Sequence, residues 1–311
     1  MKKDRKGYLK KGIQNPRNAW YVVRANLEII GSRIFFKNTA GFRHNMMGRE
    51  TEKKLKQIKK EFQVRDPNNP AISSLKKNGF ANLKYLFDEN KLHQIITKYN
   101  KLIDDDDYSF IRSKTSDGNV SSRMINKAFE VFPEVKDLIT EDIVKMIEDY
   151  YKSHFQIIHV MMWRTYHVPE KLNLEKEQYG SNWHCDGDNT TITTFYTNMT
   201  NVDESDGPLH FQSIDRTKEL IKNGYKSRHD YNLSPQVLED PDLVLKHTGS
   251  KGSTVWVNTQ FCLHRAGIPE PGHYRDMLQL RFMPSEEVLH NDWLDRCECN
   301  NDEISHNNLQ K

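Results

Sequence analysis

The sequence predicts an α+β fold with a mainly β core, a β-sandwich or jelly roll braced by helices and preceded by a basic helical extension. Three observations carry this expectation. Helical patterns come first in the chain. From Gln156 onward the texture turns β-rich, in "QIIHVMMWRTYHV", "TITTFYTNMTNV", "STVWVN", "FCLH" and "MLQLRFM", pieces separated by Gly, Pro, Asn and Asp. The charge is also divided. Residues 1–65 hold 18 Lys/Arg against 5 Asp/Glu, a net of +13, while the remaining 246 residues carry −10.

Within the basic region, Trp20, Val23, Leu27, Ile30 and Ile34 recur at helical spacing, with Arg17, Arg24 and Arg33 off that face. Such a stripe packs on its own protein or lies on an anionic membrane surface. Residues 51–63, "TEKKLKQIKKEFQ", read as a charged helix, and "RDPNNP" at 65–70 breaks the chain. The boundary is set there, giving a basic helical extension over 1–69 and a second domain over 70–311. Next, "AISSLKKNGFANLKYLFDENKLHQIITKYNKL" reads as helix, Gly79 turn, short strand and helix. Asp88 suits the N-cap of the second helix, with Leu92, Ile95, Ile96, Tyr99 and Leu102 on its buried face. The run Asp104 to Asp107 reads as a solvated acidic turn, and a further helix covers Thr140 to Tyr151.

Composition excludes several classes. Hydrophobic residues make up 36% and aromatic residues 10%, against disorder of the whole chain. No apolar run approaches the roughly 20 residues that cross a bilayer, and the basic start has no apolar stretch behind it. The cysteines Cys185, Cys262, Cys297 and Cys299 lack disulfide-scaffold spacing, so a reduced, cytoplasmic protein is expected, with the basic arm allowing a peripheral place on a membrane. Residues 1–65 suit phosphates of lipid, nucleic acid or substrate, or dock on the chain's own acidic domain.

The chemistry concentrates in "SNWHCDGDNTT". In extended backbone His184 and Asp186 point to one side and Cys185 to the other. A third ligand comes from His264, 80 residues on, at the end of a β-rich piece. Two histidines and one carboxylate form the facial triad of non-haem Fe(II) sites, which leaves one face of the metal open. An HxD alone is a weak signal, and the order of strand, HxD, strand, long excursion, strand, His and Arg is what strengthens it. The pair Cys297 and Cys299 reads as ordinary thiols, since zinc would need four ligands and only His290 and His306 stand nearby.

With these motifs in view, the chain resembles the phytanoyl-CoA dioxygenase-like branch of the Fe(II)/2-oxoglutarate oxygenases over about residues 71–285. The "GF" with its short strand matches "LKKNGFANLKYLFDENKL", the HxD matches "WHCDGD", and a "GPLxxxPGSH"-like turn is matched by "DGPLHFQSIDR", which departs from the Pro-Gly-Ser-His form. The distal histidine with its following arginine matches His264 and Arg275 in "HRAGIPEPGHYR".

The resemblance implies a double-stranded β-helix of cupin-like type, with Fe(II) held by His184, Asp186 and His264 and 2-oxoglutarate as co-substrate. The far carboxylate of 2-oxoglutarate needs an always-charged bidentate partner. Arg275 is the choice and Arg281, in the alternating "MLQLRFM", the rival, with Thr191 or Thr193 as the assisting hydroxyl. Arg164, Tyr166, Trp183, Asn189 and Trp256 are substrate-side candidates, the two tryptophans having core packing as their default. Related iron halogenases lack the carboxylate, so Asp186 favours hydroxylation. The expected activity is hydroxylation of a small organic substrate, anionic or lipid- or CoA-linked, with release of succinate and CO2. The alternative is a non-catalytic metal- or ligand-binding module whose basic arm contacts membrane, nucleic acid or a protein partner.

Overall fold

The computed structural model describes residues 42–187, 189–228, 230–231, 233–289 and 293. The stripe of residues 20–34, Asp188, His290, His306, Cys297 and Cys299 lie outside the described residues.

Twelve strands are described: β1 (Phe80–Leu83), β2 (Ser109–Lys114), β3 (Val120–Ile125), β4 (His154–Tyr166), β5 (Thr193–Asn198), β6 (Leu209–Gln212), β7 (Tyr225–Ser227), β8 (Asp230–Tyr231), β9 (Val244–Lys246), β10 (Thr254–Val257), β11 (His264–Ala266) and β12 (Tyr274–Ser285). Seven form one sheet in the order β1-β10-β5-β12-β4-β3-β2, three form a second in the order β11-β6-β9, and β7 pairs with β8. Every pairing is antiparallel. From β4 onward the chain crosses between the two larger sheets. A single bridge from His184 to His264 adds the segment after β4 to the edge of the small sheet.

The large sheet is covered on both faces, so its strands read as nearly continuous apolar runs. Alternation assigns the residues. On one face Val160, Met162, Phe195, Trp256, Leu278, Leu280 and Phe282 pack with Ile95, Tyr99 and Ile147 from two helices. On the other face Met161, Trp163, Tyr196, Val255, Val257 and Met277 meet Leu209, Phe211 and Ala266 of the small sheet. Burying a side chain such as Phe195 contributes about 1.5–3 kcal/mol.

The helices follow their sequence signals. Helix Pro70–Asn78 is capped by Asn69 and ends at Gly79, whose left-handed φ of 85° lets its N–H reach Leu75 O. Helix Glu89–Leu102 starts at Asp88, whose carboxylate accepts from Lys91 N, and buries Leu92, Ile95, Ile96 and Tyr99. Thr140 caps helix Glu141–Tyr151. The expected helix over 51–63 is two helices, Phe42–Lys54 and Lys56–Glu61, parted at the buried Leu55. The break at 65–70 is docked on the helix Glu141–Tyr151. Asp149 accepts from the backbone N–H groups of Arg65 and Asp66, and the Arg65 guanidinium pairs with Glu148 and Asp149. The acidic run is also more than a solvated turn, since Asp104 pairs with Arg164 and Asp106 with Arg123. The "GPL" segment is strand β6 leading into helix Ile214–Lys222, capped by Ser213. No described helix is long and apolar enough to cross a membrane.

Candidate active site

The three sequence-predicted metal ligands meet where the small sheet begins. His184 N–H donates to His264 O at 2.9 Å and His264 N–H to His184 O at 2.8 Å, while Asp186 N–H donates to Thr259 O at 3.0 Å. This reciprocal pair puts both imidazoles on one side, ring centroids 4.3 Å apart. Asp186 stands two residues on and returns to the same side. Its Oδ1 lies 3.7 Å from His184 Nε2 and 3.6 Å from His264 Nε2. Among the described residues these three are the group whose ligand atoms lie mutually within 4.8 Å.

The tautomers follow from the backbone. His184 Nδ1 sits 2.8 Å from Asn182 O, and His264 Nδ1 sits 3.1 Å from Cys262 O. A carbonyl only accepts, so each Nδ1 carries the proton and each Nε2 keeps its lone pair toward Asp186. Burial, then the neighbouring His264, pushes His184 down to about 3, so the ring is neutral near pH 7. Burial opposes the Asp186 charge, yet His264, Arg281 and His184 hold its carboxyl well below the usual range. Gly180 makes room for this ring. Its φ is +81°, and a Cβ there would stand 3.1 Å from His184 Cε1.

The triad opens on a cavity of about 700 Å³, within the range of small-molecule sites. Its floor is the inner face of β12. Arg275, Gln279 and Arg281 all line it, as period-two alternation requires. Arg275 is 1% exposed. Its Nη1 donates to Gly267 O at 3.3 Å, its Nε has no hydrogen-bond partner, and no carboxylate pairs with it among the described residues. Burial lowers this guanidinium to about 10. Gln279 Nε2 donates to the Tyr196 hydroxyl at 3.1 Å, placing a polar pair between the two arginines.

The other candidate residues lie elsewhere, for reasons of alternation and local turns. Arg164 and Tyr166 fall on the helix-covered face of β4, where Arg164 binds Asp276 and Tyr166 donates to Asp104. Trp256 and Thr193 share that buried face, the indole N–H donating to the threonine hydroxyl at 3.0 Å. Thr191 bonds Asn189, and Asn189 donates to Thr51 Oγ1, so this turn holds the helix Phe42–Lys54. Gly48 of that helix is pressed so close to Thr190 that a Cβ would collide with its hydroxyl. Trp183 points to the outer side of the small sheet, as Cys185 does.

That outer side carries a network the sequence analysis missed. Glu239, at the end of the helix Pro235–Leu238, accepts from Trp183 Nε1 at 2.8 Å and from Arg265 Nη2 at 3.1 Å. Arg265 Nε lies 2.9 Å from its other oxygen, an ion pair without hydrogen-bond alignment, and His210 Nδ1 lies 3.3 Å away. Burial opposes the charge, but His210 and Arg265 hold Glu239 at about 2. Trp183 and Arg265 each adjoin a histidine of the triad, so one carboxylate ties both histidine-bearing segments from behind. Of the missed cavity residues Tyr179, Tyr196 and Gln279, Gln279 had a faint signal. It shares a strand face with Arg275 and Arg281 in the otherwise apolar β12, and polar residues at period-two spacing mark a face turned to a cavity.

No family model matches the chain, and no curated protein does. Among solved structures it is similar to the non-heme alpha ketoglutarate dependent epimerase SnoN from nogalamycin biosynthesis. That match has a TM-score of 0.51 and 13% identity and covers 69% of this chain and 82% of that one. SnoN in complex with Fe3+, alpha ketoglutarate and nogalamycin RO matches with a TM-score of 0.50, 13% identity and the same 69% and 82%. The alpha ketoglutarate dependent carbocyclase SnoK from the same biosynthesis has a TM-score of 0.49 and 12% identity, covering 76% of this chain and 92% of that one. At such identities the likeness is one of fold.

Proposed function

We propose that the chain is an Fe(II)- and 2-oxoglutarate-dependent oxygenase on a double-stranded β-helix, which hydroxylates a small organic substrate and releases succinate and CO2. One observation carries the reading. A His-Asp-His donor set with both Nε2 lone pairs turned to one point shares its cavity with a buried arginine that has no carboxylate partner. Two imidazoles and a carboxylate suit Fe(II) and leave coordination positions open. A buried guanidinium with an unpartnered Nε suits the far carboxylate of 2-oxoglutarate, because an uncompensated buried charge is costly.

Bound iron supplies the site where dioxygen is reduced against 2-oxoglutarate. The chain supplies geometry. Asn182 and Cys262 fix the imidazole planes. Arg275 orients the co-substrate along β12, and Met161, Trp163 and Leu209 present an apolar wall for the carbon to be oxidised. The carboxylate Asp186 occupies the position that a halide needs in iron halogenases, which supports oxygen insertion.

The test is the visible absorbance of the protein mixed anaerobically with Fe(II) and 2-oxoglutarate. A charge-transfer band is expected that Asp186→Ala abolishes. An equal band and affinity in that variant sinks the ligand assignment.

A further inference from the structure

Resting on the reading just given, we infer that the substrate carries a dianionic group of phosphate type, held at the cavity mouth by Lys114, Lys176 and Arg228. The argument starts from the charges that line the cavity. Among its described lining residues the cations are Arg112, Lys114, Lys176, Arg228, Arg275 and Arg281, and the carboxylates are Glu177 and Asp186. Fe(II), Asp186, 2-oxoglutarate and Arg275 neutralise one another when assembled. Around the space left for substrate, Lys114, Lys176 and Arg228 then face one carboxylate, Glu177. A concave site with walls of low dielectric concentrates such a field and favours a ligand of opposite sign.

The cations come from three elements, and hydrogen bonds hold those elements together. Arg112 and Lys114 lie on the edge strand β2. Lys176 begins the 176–180 segment, which is fastened to the β2–β3 hairpin. Ser116 donates to Glu175 at 2.9 Å and Ser121 to Gln178 at 2.8 Å. Arg228 follows β7, in the long excursion between β6 and β9, and its Nε lies 3.5 Å from Glu177. Its Nη2 is 4.0 Å from the point where a Gly180 Cβ would stand, itself 3.1 Å from His184 Cε1. The guanidinium of Arg228 therefore borders the His184 side of the triad. An anion at Arg228 places the rest of a small substrate over the open coordination face, against Tyr196 and Trp163. Arg281, six residues from Arg275 along β12, lines the same cavity and adds to its positive potential. The preference belongs to the cavity itself, separately from the basic residues 1–65.

The experiment uses the full chain with Fe(II) and saturating 2-oxoglutarate under argon, once the charge-transfer band has formed. Phenyl phosphate and phenol are then titrated in turn, and binding is read calorimetrically and from the shift of the band. Phenyl phosphate is expected to bind at least about tenfold more tightly than phenol, with the difference shrinking as NaCl rises from about 0.05 to about 0.3 M. The double variant Lys114→Gln/Lys176→Gln should lose about tenfold in phenyl phosphate affinity with its 2-oxoglutarate band unchanged, and Lys114→Arg/Lys176→Arg should restore it. Equal binding of phenol and phenyl phosphate with the band present overturns the inference and leaves the oxygenase reading standing. So does wild-type affinity in the double variant, which would place the phosphate on residues 1–65. Absence of the band in the wild type overturns both.

Discussion

Arg164 and Asp276 form a buried pair on the helix-covered face of the large sheet, with Nε to Oδ1 at 2.8 Å and Nη2 to Oδ2 at 2.9 Å. Tyr99 donates to the same carboxylate at 3.0 Å, and Asp104 takes the remaining Arg164 nitrogen. Asp276 precedes no ligand itself, but its neighbour Arg275 faces the cavity. The pair thus anchors one side of β12 while the adjacent side chain works on the other. Burial raises the Asp276 carboxyl, and Arg164 counters it.

Replacing Arg164 by Met leaves Asp276 buried without its cation. A loss of about 3–5 kcal/mol in urea unfolding is expected. The folded fraction should keep wild-type affinity for 2-oxoglutarate, because Arg164 lies across the sheet from the cavity. A weakened co-substrate with unchanged stability would contradict this account of the pair.

Arg275 and Arg281 both line the cavity, and the deeper burial of Arg275, with no carboxylate pairing with it among the described residues, supports the proposal that it anchors the co-substrate. Arg275→Lys should weaken 2-oxoglutarate by roughly 10–100-fold, since a lysine loses the bidentate fork. Arg281→Lys should change it little. Anaerobic titration of the chelate band separates the two, and the reverse order would move the anchor to Arg281.

Glu239 ties Trp183 and Arg265, and through them the two histidine-bearing segments. Glu239→Gln keeps the shape and removes the charge. Metal affinity should fall by about 10–100-fold, the usual cost of losing an outer partner. A competition titration with a chelator measures it, and a variant that binds metal as tightly as the wild type would make the network purely structural.

His247 is 2% exposed, with no hydrogen-bond partner for Nε2. Burial, with Arg275 next, lowers it to about 4. The folded protein therefore resists protonating it while the unfolded chain takes up a proton near pH 6.5. Its contribution is complete above about pH 6.5 and is lost as the pH falls to about 4, on the order of 3 kcal/mol in all. Urea unfolding across that range should show the slope in the wild type and a flatter profile in His247→Phe. Equal slopes would remove His247 from the acid response.

Much of the framework was legible in the residues. Asp88, Gly79 and Thr140 announced helix ends because capping is a local matter of backbone N–H groups and φ. The β-rich texture after Gln156 and the positions of β4, β5, β10, β11 and β12 were readable for the same reason. The substrate side was not. Arg164, Tyr166, Trp183, Asn189 and Trp256 were the substrate-side candidates, the two tryptophans with core packing as their default, and Tyr196, Gln279 and Arg228 drew no notice. Sequence alternation states which residues share a strand face, and never which face meets the cavity.

By itself, then, the sequence determined the order of elements, the HxD with its distant histidine and arginine, and the division of charge. The tertiary structure alone decided that His184 pairs with His264, that Arg275 is buried without a carboxylate, and that Asp276 is turned away. It also brought cations from β2, the 176–180 segment and the excursion to the lining of one cavity. The reason is physical. Capping and alternation act within a few residues, whereas the triad joins the segment after β4 to β11, 80 residues on, through one bridge at the edge of the small sheet, a pairing set by how the two sheets pack.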